Sequence, residues 1–140
     1  MDPIEAAMWR AGVPRSRTTG LAAYAVTEAV ADGVLALGQT VIVDAVNAVE
    51  EARGQWRSLA SRHGVPLVFI EVVCSDPTVH RRRLGSRSRD IEGFSERSWE
   101  AVERRRAEFA PLVDDRLVLD SVVDLQSNVA AALGFLAAVT

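Results

Sequence analysis

The run Thr40-Val41-Ile42-Val43-Asp44-Ala45-Val46-Asn47 constrains the fold more than any other stretch. Four residues rich in β-branched side chains end in a carboxylate, and an amide follows three positions later. A parallel strand buried on both faces reads this way, with its polar groups delivered at its carboxyl end. In open α/β sheets ligands bind at that edge.

The rest of the chain repeats strand, polar turn and helix. Two further apolar runs, Leu67 to Cys74 and Arg116 to Asp120, are predicted strands, the first of them central and covered on both faces. Helices are predicted at five places before the last strand. Asp2-Pro3 reads as an N-cap carboxylate and a proline opening a first helix, with Ile4, Ala7, Met8 and Ala11 as its apolar stripe. Thr18 or Thr19 reads as the cap of a second helix to about Leu37, with Leu21, Ala25, Val30, Val34 and Leu37 inward and Gly38 closing it. A third runs from about Val49 to His63 before Gly64, with Trp56, Leu59 and Ala60 inward and Glu50, Glu51, Arg53 and Arg57 outward. Asp76-Pro77 opens a fourth to about Arg87, and Ser95 is the expected cap of a fifth to about Phe109. A last helix spans about Val122 to Val139, with Leu125, Val129, Leu133 and Leu136 on one face. Strands alternating with helices predict an α/β fold with a parallel sheet in a single domain over residues 1–140. Three strands is a thin sheet for so many helices, and the deficit falls toward the N-terminus.

Composition excludes several functions. The chain has no lysine, so no Schiff base, P-loop lysine or lysine general base can be drawn from it. A net charge of -3 gives no overall field for nucleic acid or anionic membrane. One cysteine, Cys74, and two histidines exclude an internal disulfide and argue against a zinc site. Cys74 reads as a buried small residue. No window is long and apolar enough to span a bilayer, and the acidic start lacks the order of a signal peptide, so a cytoplasmic protein is expected.

Three groups of residues could carry chemistry. Asp44 stands where a phosphotransferase holds magnesium, and Asn47 could orient an acceptor or a water; both could equally cap the following helix. In His80-Arg81-Arg82-Arg83-Leu84-Gly85-Ser86-Arg87-Ser88-Arg89, the four-residue spacing of Arg83 and Arg87 predicts two guanidinium forks on one helix face, suited to phosphate oxygens. Gly85 would loosen a segment that moves, and residues 77–94 read as lid-like. A solvated basic face, or a nucleic-acid contact lacking interleaved aromatics, are the other readings of the same run. Asp2 is an N-cap or, at the end of a strand, a general base. Thr19 and Tyr24 could line an acceptor site, and Tyr24 could equally be core.

Taken together, Thr18-Thr19-Gly20-Leu21-Ala22-Ala23-Tyr24, the Val41 to Asn47 run, and Val73-Cys74-Ser75-Asp76-Pro77 with Arg83-x-x-x-Arg87 resemble the small P-loop kinases of the AAA-like "predicted kinase" group, relatives of polynucleotide kinases, zeta toxins and gluconate-type kinases. The resemblance covers nearly the whole chain. It implies a three-layer fold, a parallel sheet with helices on both faces, using ATP and magnesium. Under it Asp44 supports the metal, Arg83 and Arg87 are lid arginines on the phosphates, and Asp2 activates the acceptor hydroxyl. Thr19, Tyr24 and Asn47 face the acceptor, and Asp120 and Ser121 lie beside the adenine.

The family begins with a strand, G-x-x-x-x-G-K-[ST], a helix and a second strand, and none of these is in the sequence. About 35–40 residues, roughly one βαβ unit, would supply them. The expectation is therefore a small P-loop kinase without its first two strands and phosphate loop. Its parent would phosphorylate a hydroxyl of a small molecule or nucleic-acid end, while this polypeptide alone would be inactive. A non-catalytic anion- or partner-binding module is the alternative. Unpaired strands would favour self-association.

Overall fold

The computed structural model describes residues 1–88, 90–92, 96–111 and 115–139. Helix α1 spans Asp2–Arg10, α2 Arg17–Ala36, α3 Glu50–His63, α4 Pro77–Ser86, α5 Trp99–Ala107 and α6 Leu125–Ala137; strands β1 (Phe69–Val73) and β2 (Arg116–Asp120) lie between them. The two strands pair in parallel, Phe69 opposite Arg116 and Val73 opposite Asp120. The result is a mixed α/β chain of six helices and a two-stranded parallel sheet among the described residues.

Local chemistry sets most helix ends. Ser16, not Thr18 or Thr19, caps α2: its hydroxyl accepts from Thr19 N–H while Thr19 Oγ1 accepts from Ser16 N–H, a reciprocal capping box. Asp76 accepts from the amides of Thr78 and Val79 and Pro77 fixes the first φ of α4. Asp124 caps α6 through Ser127 N–H, so this helix begins later than Val122. Ser98 caps α5 through Ala101 N–H; the expected cap Ser95 lies outside the described residues. In α1 the cap is Met1, with Asp2 and Pro3 already helical. Gly64 ends α3 in the left-handed region at φ 63°, where a side chain would crowd its own carbonyl.

The core lies between α2 and α3. Ala31, Trp56 and Leu59 are buried together, and Tyr24, Leu35, Val41, Val43 and Phe69 pack against them. The inward faces of α3 agree with the sequence except at Arg53. Its charge predicts an outward residue, yet it is 2% exposed. Its Nη1 donates to Ala110 O at 3.1 Å, and Glu50 lies 3.4 Å from Nε without hydrogen-bond geometry, leaving Nε and Nη2 unsatisfied. The gain is a tie to a distant strip of chain, where Ala110 N–H also donates to Ala48 O.

Helices α1 and α2 turn different faces inward from those predicted. Ala6 is buried in α1, and Ala23 and Ala31 in α2, while Leu21, Val30 and Leu37 are exposed. Small residues let α1 and α2, and α2 and α3, approach closely; no described element covers the large ones.

Two corrections concern the sheet. The run Val41 to Asp44 forms no ladder; its residues alternate between half-buried and exposed through Asn47, the period of an extended chain, but its backbone is not paired as a strand. Strand β1 is shorter than Leu67 to Cys74 and is not covered on both faces: Val72 is 66% exposed. Among the described residues β1 pairs on one edge only, with β2, and its Ile70–Val72 face stays open to solvent. On the far side α6 packs against β2, with Leu125 and Leu133 left largely open to solvent.

Candidate active site

Two groups of predicted residues assemble, one on the α2–α3 side and one at the carboxyl ends of the strands. No hydrogen bond joins them among the described residues.

The first group centres on Asn47. Its backbone sits at φ 48°, a left-handed conformation that Asn tolerates better than most residues. There its N–H donates to Tyr24 Oη at 3.0 Å, and its Oδ1 accepts from Trp56 Nε1 at 2.9 Å. Tyr24 packs tilted against Trp56, ring centroids 6.1 Å apart, and its carbonyl accepts from Gln55. Burial raises the Tyr24 pKa, with the Asn47 hydrogen bond opposing, so the phenol stays protonated at neutral pH. Trp56 and Gln55 were missed as partners of this corner. Neither spacing nor residue type signals a bond from position 56 back to 47.

Asp44 lies three residues before that corner, exposed, its carboxylate without a hydrogen-bond partner among the described residues. Its carbonyl accepts from the Met1 ammonium at 2.9 Å. That contact brings the first turn of α1, and half-buried Asp2 with it, beside the end of the extended run. Sequence reading placed Asp2 and Asp44 at one edge only through the resemblance; the structure makes their chain segments neighbours. Thr19 stands apart from them, its hydroxyl spent on Ser16.

The second group surrounds Asp120. Its Oδ1 accepts from Ser75 N–H and Val122 N–H, each at 3.1 Å. Hydrogen bonds from Ser75 and Val122, with the nearby Arg83 charge as the smallest contribution, hold its pKa below the usual carboxylate value. Arg83 donates to Ser121 O at 2.9 Å and lies 3.3 Å from Ser121 Oγ. Arg83, Asp120 and Ser121 thus meet where β1 and β2 end.

Arg87 does not join Arg83 on a helix face. Helix α4 stops at Ser86, and Arg87 is its C-cap with ψ 130°, turned out of the helical path. The spacing was right for a helix, but the helix is one residue too short. Of the lid-like segment, residues 89 and 93–95 lie outside the described residues. Arg10 donates to Glu92 O at 2.6 Å, tying α1 to this segment. Cys74 is half-buried rather than buried, its thiol donating to Asp76 O.

Two open grooves are present. One, of about 600 Å³, lies between α4 and α5 and is lined by Pro77, Thr78, Arg81, Arg82, Trp99 and Glu103. Arg81 stands 5.8 Å over the Trp99 ring, and His80 meets its edge at 5.3 Å. The other, of about 360 Å³, is bounded by Phe69 at the amino end of β1, opposite the edge at which α/β sheets bind ligands. The described residues hold no group of three or more His, Cys, Asp or Glu that could enclose a metal. A magnesium ion carried in with nucleotide phosphates needs only one or two protein carboxylates, so a lone, unpartnered Asp44 fits such an ion. No helix among the described residues is long and apolar enough to cross a membrane.

Comparison with family models matches residues 2–112 to the AAA domain. Comparisons with curated proteins and with solved structures find no match.

Proposed function

Because the chain belongs to the AAA-domain family, whose kinase-related members are nucleotide-binding domains, we propose that it forms the acceptor and lid portion of an ATP-dependent phosphotransferase. The glycine-rich loop that cradles the β- and γ-phosphates must come from polypeptide beyond these 140 residues, which contain no lysine and no G-x-x-x-x-G-K. The observation that carries the reading is Asp44: an unpartnered, exposed carboxylate at the end of an apolar extended run, with the start of α1 held against its carbonyl.

In this reading a hydroxyl of a small molecule or nucleic-acid end attacks the γ-phosphorus. The bond to the β–γ bridging oxygen breaks, ADP leaves, and Asp2 accepts the hydroxyl proton. Asp44 would hold magnesium, which neutralises charge on the phosphates when bound. Arg83, at the strand ends, and Arg87, from the turn just past α4, bind phosphate oxygens separately as developing charge shifts toward ADP. Arg83 must then exchange its Ser121 bonds for the nucleotide, and Asp120 and Ser121 form the wall beside the adenine. Thr19, Tyr24 and Asn47 shape the acceptor side, the last two through a corner already fixed by hydrogen bonds. Such transfer is mostly positioning, so without the cradle the chain alone should be inactive.

A second reading is favoured by the Arg81–Arg82–Trp99 groove: a non-catalytic module that binds an anion or a partner through α4. One experiment separates the two. Magnesium-dependent ATP binding and ATP-dependent phosphorylation are measured for the pure chain, Asp44→Ala and Arg83→Ala. The kinase reading expects no phosphorylation, and weak nucleotide binding that falls on removing magnesium, Asp44 or Arg83. Phosphorylation by the pure chain would refute the need for a supplied loop. Anion binding indifferent to magnesium and to Asp44→Ala would favour the module.

A further inference from the structure

The groove between α4 and α5 takes no part in the phosphotransfer reading, and none of its lining residues was assigned to nucleotide, metal or acceptor. Each helix supplies it with residues at four-residue spacing: Pro77 with Arg81 and Thr78 with Arg82 from α4, Trp99 with Glu103 from α5. The three successive arginines of α4 diverge here. Arg83 turns to Ser121 O at the strand ends, whereas Arg81 and Arg82 line the groove. Among the described residues neither of these two has a carboxylate at ion-pair distance.

The run His80 to Arg89 contains no Phe, Tyr or Trp, and the fold supplies one from another helix. Trp99 is half-buried; His80 meets its edge at 5.3 Å and 81°, and Arg81 stands 5.8 Å over the ring. That distance is close to the outer limit of a cation–π contact, so the guanidinium is not packed flat on the indole.

We propose that the α4–α5 groove binds single-stranded nucleic acid, with one base stacked on Trp99 and the phosphates flanking it on Arg81 and Arg82. A basic groove with an aromatic platform is what such strands require, because every base has a π-face and every link a charge. The distribution of charge favours it. Nine of the 16 arginines but only seven of the 19 acids fall in residues 76–110, so a net charge of -3 conceals a locally basic segment. A volume of about 600 Å³ suits one nucleotide unit, a drug-sized group. Glu103 decides against an acidic protein segment. Its carboxylate repels aspartate or glutamate side chains between the two rows, yet it can accept from the amino group of a stacked base. Binding here needs neither magnesium nor a phosphate loop. The inference therefore goes beyond the phosphotransfer reading, and its failure leaves that reading untouched.

The test is fluorescence anisotropy of fluorescein-labelled octadeoxycytidylate titrated with the 140-residue chain in EDTA. Two phosphate contacts on a single strand give a slope of log K against log salt of about -1.4, or about sevenfold between roughly 50 and 200 mM. Arg82→Gln should halve that slope. Trp99→Leu, which keeps an apolar side chain on α5, should weaken binding about tenfold or more, and so should replacing the strand by an abasic octamer. Arg17→Gln, the same loss of charge at the start of α2, should change nothing; circular dichroism verifies that each variant is folded. The inference is overturned by absent binding at the lower salt, by equal binding of the abasic strand, or by an unaffected Trp99→Leu. A loss in Arg17→Gln equal to that in Arg82→Gln overturns it too, since overall charge would then suffice. Displacement of the strand by an equal concentration of octaglutamate would make the groove a site for acidic protein instead, and equally overturns it.

Discussion

Replacing Asn47 by alanine tests whether the corner between Tyr24 and Trp56 is a structural joint. The substitution removes the acceptor of the Trp56 indole N–H, a bond of 2.9 Å to a residue only 5% exposed. A buried donor left without a partner costs about 1–3 kcal/mol. The backbone adds a second cost. At φ 48° alanine has no local side-chain hydrogen bond to offset the left-handed strain, worth about 1 kcal/mol. Asn47→Ala should therefore destabilise by about 2–4 kcal/mol, lowering Tm by about 8–16 °C at roughly 4 °C per kcal/mol for this length. Asn47→Gly loses the same indole bond but relieves the backbone, so it should be milder by about 1 kcal/mol. Urea unfolding followed by far-ultraviolet circular dichroism reads both. A shift under about 0.5 kcal/mol for Asn47→Ala would sink the hydrogen-bond argument. Equal losses for alanine and glycine would sink the backbone part.

Gly64→Ala should cost about 1 kcal/mol in the same assay, because φ is 63° there although nothing lies within 4 Å of the added methyl; an unchanged midpoint would contradict this. Acid stability should depend on Asp32, whose pKa is lowered from 3.8 first by its hydrogen bond to His63 and, more weakly, by Arg62. A lowered folded value contributes stability above the unfolded pKa and loses it as pH falls through the folded one. The Tm advantage of wild type over Asp32→Asn should shrink between about pH 5 and pH 3, modestly because the pair is only half-buried and still screened by solvent. A pH-independent difference would show that the pair does not act through charge.

The sequence made some elements legible because their determinants are local. Asp76-Pro77 announces α4, Gly64 closes α3, and the run Arg116 to Asp120 is a strand in the structure too. What it could not announce were properties owned by a neighbour. Val41 to Asp44 has the composition of a strand, but a strand is made by what pairs with it, and nothing described here does. Leu21 and Val30 look like core residues and are exposed, while Ala23 and Ala31 are the ones that close contacts require. Arg53 turns inward for a carbonyl 57 residues away, a partner no periodicity reveals. The candidate site divides the same way. Arg83, Asp120 and Ser121 meet because strand ends gather, a rule readable in advance. Asn47 and Trp56 meet through one bent backbone residue, and Arg87 is lost from the lid face because α4 ends one residue early.

The contact between the Met1 ammonium and Asp44 O has a practical side. An affinity tag fused before Met1 would turn that ammonium into an amide. The amide keeps one hydrogen to donate to the Asp44 carbonyl but gives up the positive charge, and the bulk of the tag would emerge beside the end of the extended run. A tag after residue 140 leaves that charge in place. Comparing the two preparations for thermal stability would show how much the single contact from residue 1 to the Asp44 carbonyl contributes to holding α1 against the extended run, before any side chain is altered.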